Sequence, residues 1–191
     1  MRIVKGTFAG RNLTSPGNDS RVRPTAEAVR DAVMGMLKAD LNKARILDLF
    51  AGTGALGLEA LSRGARYVDF VESGASSLHA LKANVAALRV REKVKVFKKD
   101  ALPFAAALPL DRYDIAFVDP PYGSRMLDRV IATWQATPFA RVLVAEHETS
   151  HELPAPLPRP HDKRIFGDTA ISIFRWTPPT PVETSEETPE P

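Results

Sequence analysis

The chain has 191 residues, 44% apolar and 26% charged, a globular mix in which no apolar run approaches the roughly 18 residues a membrane-spanning helix needs. It contains no cysteine, which excludes disulfides, thiolate zinc sites and every mechanism with a Cys nucleophile, including addition to C5 of a pyrimidine. The net charge of +3 hides an asymmetry: the last fifteen residues hold four of the 23 acids and no Lys or Arg, so the rest carries 26 basic against 19 acidic residues, or +7.

The opening Met1-Arg2-Ile3-Val4-Lys5-Gly6 lacks the apolar core of a signal peptide, which points to the cytoplasm. Residues 2–14 contain two strand-like pieces about Gly10 and predict a hairpin. The first thirty residues carry Arg2, Lys5, Arg11, Arg21, Arg23 and Arg30 against Asp19 and Glu27, an excess that suits a polyanionic partner. Thr25 can cap a helix running to about Lys38, with Val29, Val33, Met36 and Leu37 on one face. Residues 45–50, 67–72, 94–98, 113–118 and 140–145 are short, apolar or β-branched, and bounded by charge or Gly, as buried parallel strands are. Between them, residues 55–63, 76–88, 102–108 and 126–136 have helical spacing. Strict alternation of the two predicts an α/β fold, a sheet covered on both faces. Two further strands, near 163–166 and 171–176 around Gly167-Asp168, have no helix between them and predict an antiparallel edge. Residues 177–191, with five Pro, four Glu and four Thr, cannot bury a core and are expected to be disordered.

Chemistry concentrates at the ends of the strands. Asp48-Leu49-Phe50-Ala51-Gly52-Thr53-Gly54-Ala55-Leu56-Gly57 is a strand end, a G-x-G-x-x-G turn and a helix start. Glycines there let the backbone turn tightly and approach a nucleotide-like ligand. Glu72 ends the next strand, 18 residues after Gly54, where a carboxylate can bind ribose hydroxyls. Asp48, four residues before Gly52, would repel a pyrophosphate and suits a cation, which favours S-adenosylmethionine, with its sulfonium and ammonium, over NAD. Asp100, closing the third strand, can accept from an adenine amine or cap the next helix.

Asp119-Pro120-Pro121-Tyr122 follows the fourth strand, at the edge where open α/β sheets bind ligands. The prolines fix the backbone and remove two N–H donors, so a carboxylate and a carbonyl are left side by side as acceptors for one –NH₂ group. A base's exocyclic amine is a poor nucleophile because its lone pair is delocalised into the ring. Two acceptors on its hydrogens localise that pair, aim it and ease loss of the proton. Tyr122 offers a face for base stacking.

With these residues in place, the sequence resembles the class I S-adenosylmethionine-dependent amino methyltransferases. More closely, it is similar to the bacterial 16S rRNA guanine-N2 methyltransferases that modify guanine-966, the RsmD family. Further matching pieces are Arg2-Ile3-Val4 with Gly6 and Gly10-Arg11, Arg23-Pro24-Thr25 with Val29-Arg30, the run from Leu56 to Ala65, and Phe166-Gly167-Asp168-Thr169. They span residues 2–176. The resemblance implies a Rossmann-like, seven-stranded, mostly parallel sheet with an antiparallel last strand, preceded by an N-terminal hairpin and helix. It divides the chain into an RNA-side extension (residues 1–40), a methyltransferase core (41–176) and the acidic tail (177–191). It places Asp48, Phe50, Gly52 and Gly54 around the methionine part of the cofactor, Glu72 on the ribose, and Asp100 with Ala101 on the adenine. Asp119, Pro120, Pro121 and Tyr122 would hold the target amine. Arg2, Lys5, Arg11, Arg21 and Arg23 would contact the phosphates of 16S rRNA or of the small ribosomal subunit. A monomer without metal or membrane is expected. Two features depart from the family pattern: the acidic tail, and Ser73-Gly74-Ala75 after Glu72, where a second charged or polar residue is common.

Two other readings use the same residues. One is an N6-adenine or N4-cytosine methyltransferase on DNA or another RNA, although 176 residues leave no room for the recognition domain that DNA enzymes usually carry. The other is a non-catalytic cofactor- and RNA-binding module, which would have no need of an acid at position 119. His147-Glu148-Thr149-Ser150-His151 spells the zinc-protease H-E-x-x-H, but that motif works on a helix, and four nearby prolines forbid one. A surface loop after the fifth strand is expected there, and His79 is expected to pack within its helix.

Overall fold

The computed structural model describes residues 1–15, 24–153 and 162–177. Arg21, Arg23 and almost all of the acidic tail lie outside the described residues. The strands are β1 (Arg45–Asp48), β2 (Tyr67–Glu72), β3 (Val94–Lys98), β4 (Tyr113–Val118), β5 (Ala140–Glu148), β6 (Asp162–Phe166) and β7 (Thr169–Arg175). The helices are α1 (Pro24–Met36), α2 (Ala55–Ser62), α3 (Ala75–Leu88), α4 (Ala101–Ala106) and α5 (Met126–Ala136). All seven strands join one sheet in the order β3-β2-β1-β4-β5-β7-β6. β1 to β5 run parallel to one another, and β7 runs antiparallel between β5 and β6. This is the seven-stranded, mostly parallel sheet expected from the sequence.

Period-two alternation splits the strand residues between two cores. Ile46, Ile115, Phe117, Val142 and Val144 face α1, α2 and α3, where Val33, Met34, Leu37, Leu58 and Leu81 cover them. Leu47, Ala116, Val118, Leu143 and Ala145 face α4 and α5, against Ala105, Leu127, Ile131 and Trp134. The direction of winding reverses between β1 and β4, so a crevice opens at their carboxyl ends.

The expected N-terminal hairpin is present in short form, and the first helix needs two corrections. Residues 2–14 pair antiparallel about an Arg2–Asn12 bridge, with Ile3 N donating to Arg11 O (2.9 Å), Leu13 N to Met1 O (2.8 Å) and Gly10 N to Ile3 O (2.9 Å). The pairing stays short because other polar groups of the segment bond to helices. The buried carboxylate of Glu59 accepts from Val4 N (2.8 Å) and Lys5 N (3.0 Å). Ser62 Oγ accepts from Phe8 N (2.9 Å) and donates to Lys5 O (2.6 Å). Asn84 of α3 accepts from Thr14 N (2.7 Å) and donates to Thr14 O (3.0 Å) and Thr53 O (3.0 Å). Helix α1 begins at Pro24, ahead of the expected cap Thr25, because proline's missing N–H costs nothing in a first helical turn. Its apolar face buries Met34 fully in place of Met36, which is only partly buried.

Candidate active site

The glycine turn is shaped by its own neighbours. Gly54 has φ +80°, and a Cβ there would meet Leu81 Cδ1 at 2.4 Å; a Cβ on Gly57 would meet Phe70 at 2.5 Å. These two positions are held to glycine by the turn and by helix-on-sheet packing. Gly52 faces open space.

Two acids order this turn, and a third caps the helix beside it. Asp48, 3% exposed, accepts from Gly57 N at 3.0 Å. Burial, with a smaller contribution from the charge of Glu72, pushes its carboxyl up to about 7 despite that bond. Glu72 accepts from Gly52 N at 2.7 Å and from Gly74 N at 2.6 Å. A carboxylate has about four lone-pair sites, so two remain for hydroxyls of a ligand. Asp100 accepts from Leu102 N at 3.0 Å and caps α4.

Two cavities line the crevice. One, of about 540 Å³, is bordered by Phe50, Glu72, Asp100, Ala101 and Pro121 among others. The other, of about 320 Å³, is bordered by Asp48, Thr53, Arg30, Glu146 and Thr169 among others. Phe50, Gly52, Asp119 and Tyr122 belong to both walls, so the two form one cleft with Asp119 at its waist. Every cofactor-side and catalytic candidate from the sequence therefore meets here except Gly54, which supports the turn from behind.

Asp119 is placed by the end of β4. Val118 pairs with Ala145 across the parallel β4–β5 ladder, so Asp119 and Glu146, each one residue further, lie side by side. Burial raises the Asp119 carboxyl well above its ordinary value, and the charges of Glu146 and then Asp48 add to it. Burial likewise raises Glu146. Tyr122 is 45% exposed, and its hydroxyl sits 3.1 Å from Thr169 Oγ1 and donates to Glu146 Oε1 at 3.4 Å. The ring thus leans over the cleft, tethered by its far end.

Two residues of this cleft escape the sequence reading. Glu146 falls just beyond the expected end of the fifth strand. Arg30 enters there only as charge, although its spacing to Val33 and Leu37 puts it on the buried face of α1. It is 4% exposed, donates to Arg2 O at 2.6 Å, and keeps its Nε without a hydrogen-bond partner, 3.6 Å from Glu59 Oε2.

The zinc decoy resolves differently from expectation. Glu146, His147 and Glu148 extend β5, because β7 pairs with it as far as Glu148 opposite Thr169. His147 is buried in that strand at 2.9 Å from Ser172 Oγ, and His151 sits 2.8 Å from Asp128 of α5. Among the described residues, no group of three or more His, Asp or Glu is placed to hold a metal ion. His79 is exposed on α3 and does not pack inward.

On the basic segment, Arg2 pairs with Glu27 (3.1 Å) and Lys5 with Asp31 (3.0 Å), both from solvent-exposed positions. Arg11 is exposed and donates to Ala87 O at 3.3 Å.

The geometry predicts the cost of disturbing Glu72. Glu72→Gln puts an –NH₂ against the N–H of Gly52 or Gly74, which leaves a backbone donor unpaired and costs about 1–3 kcal/mol. Cofactor affinity, read by calorimetry, is expected to fall roughly five- to hundredfold.

A family model described as Conserved hypothetical protein 95 matches residues 1–175. Ribosomal RNA small subunit methyltransferase D of Escherichia coli (strain K12) is 30% identical over 92% of this chain and 89% of its own length. The Haemophilus influenzae protein of the same name is 33% identical, over 69% of each chain. Among solved structures, the Escherichia coli protein yhhF is similar with a TM-score of 0.78 and 31% identity, covering 92% of this chain and 97% of that one. A hypothetical protein of Thermus thermophilus has a TM-score of 0.75 at 27% identity, covering 92% and 99%.

Proposed function

The chain belongs to the family described as Conserved hypothetical protein 95, the RsmD family, and from that premise we propose that it methylates the N2 amine of a guanine in small-subunit rRNA, guanine-966. It is a methyltransferase of Rossmann-like fold. The observation that carries the amine chemistry is Asp119 at the waist of the cleft, where both cavities meet, with Pro120 and Pro121 beside it on the wall of the larger one.

The residues fit S-adenosylmethionine. Glu72 keeps lone pairs for ribose hydroxyls, and Asp100 and Ala101 border the same cavity at the adenine end. Asp48 supplies a buried acid for the cationic end, and Arg30, held by Arg2 O and beside Glu59, borders the same cavity with positive charge suited to a carboxylate. Bound there, the cofactor supplies an electrophilic methyl on a sulfonium. Asp119 and a neighbouring carbonyl accept from the two amine hydrogens and turn the nitrogen lone pair toward that methyl. Tyr122, fixed through Thr169 and Glu146, stacks on the base and narrows the cleft against water.

Mapping methyl groups in 16S rRNA from cells with and without the protein tests the reading. One N2-methylguanosine should disappear with the gene and return with it; an unchanged methylation map would overturn the proposal.

For the RNA side, Arg11 is the described basic residue whose charge has no acidic partner in the segment, and Arg21 and Arg23 join it in the proposal from the sequence. Each phosphate contact releases counterions, so Arg11→Ala should reduce the slope of log K against log salt by about 0.7–0.9 in an rRNA titration. Arg2→Ala should change it less, since Glu27 already neutralises that charge.

A further inference from the structure

We propose that Glu146 reads the N1–H of the target guanine and so excludes adenine and cytosine from the amine site. The inference rests on the amine-methylation reading and adds to it the residue that selects the base. Glu146 borders the same 320 Å³ cavity as Asp119, one strand over in matching register, about 5 Å away by strand spacing. Tyr122, the stacking ring, is tied to Glu146 by its hydroxyl, so ring and acid are set relative to each other.

Elementary base chemistry does the rest. An amine held by Asp119 brings its ring neighbours up to the adjacent side chain. In adenine the neighbours of the amine-bearing carbon present the acceptors N1 or N7. In cytosine they are the acceptor N3 or an apolar C–H. Guanine alone places a donor, N1–H, next to its amine. A carboxylate beside the amine site therefore attracts guanine and repels lone pairs from the other two. Each acid takes one part of a donor–donor edge, Asp119 from N2 and Glu146 from N1. Arg30, the cation of this cavity, is anchored to Arg2 O from the α1 side, which leaves the Glu146 side acidic.

The test uses small-subunit rRNA ligated to carry either guanine or 2-aminopurine at the mapped position, presented free and in a reconstituted particle. 2-Aminopurine keeps the amine but has an unprotonated N1. The full-length protein is expected to favour guanine by about 10- to 100-fold in kcat/KM, the worth of one charge-assisted hydrogen bond. Glu146→Gln can turn its –NH₂ toward an unprotonated N1, so its preference should collapse to within about threefold. The ratio is measured within one preparation, so loss of folded protein cancels from it. Equal rates for wild type on the two RNAs, or an unchanged ratio in Glu146→Gln, would overturn the inference while leaving guanine methylation standing. No methyl on either RNA would refute the amine reading itself, and this inference with it.

Discussion

Asp119→Ala is expected to lower turnover on rRNA by about 10²–10³ while S-adenosylmethionine affinity stays within about threefold. That is the usual loss when one preorganised group acting on the developing charge is removed. The split follows from the geometry. Ribose-side contacts come from Glu72 and cation-side charge from Asp48, neither of which touches Asp119 by hydrogen bond. Single-turnover methylation beside calorimetric cofactor binding separates the two quantities. Near wild-type methyl transfer in the variant would remove the amine-polarising role and favour a non-catalytic binding module.

The second large effect is one of stability against pH. Asp48 ionises in the unfolded chain near its ordinary 3.8 and in the folded protein near 7. Its protonated form is thus favoured by folding, and the stability this represents is present below about pH 4 and lost as pH rises through 7. The loss reaches about 4 kcal/mol at pH 8, at 1.36 kcal/mol per unit. Asp48→Asn keeps an acceptor for Gly57 N without that cost. The cofactor-free variant should therefore match wild type near pH 4, gain on it between pH 4 and 7, and unfold at higher denaturant at pH 8. It should also bind S-adenosylmethionine far more weakly, since the buried charge is what meets the cation. In wild type, cation binding should release a proton from Asp48, so affinity should rise from pH 6 to pH 8. A flat difference between the two proteins across this range would show that Asp48 ionises freely in the fold.

The carboxyl edge of the sheet is largely legible in the sequence because each parallel strand carries an acid at or near its carboxyl end: Asp48, Glu72, Asp100, Asp119 and Glu146. The first four stand out through local signals, a glycine turn, a spacing and a proline pair. Glu146 carries no such neighbour. Its identity as a strand residue depends on β7, whose Ile171 pairs with it from 25 residues away. The polar triplet Glu146-His147-Glu148 looks like a strand's end until Ser172 supplies a partner for the His147 ring. The N-terminal segment is legible only in part for a similar reason. Two apolar pieces about a glycine read as a hairpin and do pair, but nothing local shows that Glu59, Ser62 and Asn84 take the backbone groups the pairing leaves over. Arg30 is hidden by its type: an arginine on a buried helix face is legible only once something acidic, here Glu59, is known to lie beneath it.

The distant partners of residues 3–14 also set an order of assembly. Val4 waits for Glu59, 55 residues later, and Thr14 for Asn84, 70 residues later. At a synthesis rate of about 5–20 residues per second, the first segment spends roughly 3–14 s outside the ribosome before its clamps exist. During that time the backbone groups of Val4, Lys5, Phe8 and Thr14 must remain hydrated and Ile3 and Leu13 uncovered. The earliest stretch of the chain therefore takes its place only after α2 and α3 have been made. Slowing elongation between residues 59 and 84 should lengthen the window in which a protease can cut near the amino terminus of the nascent chain.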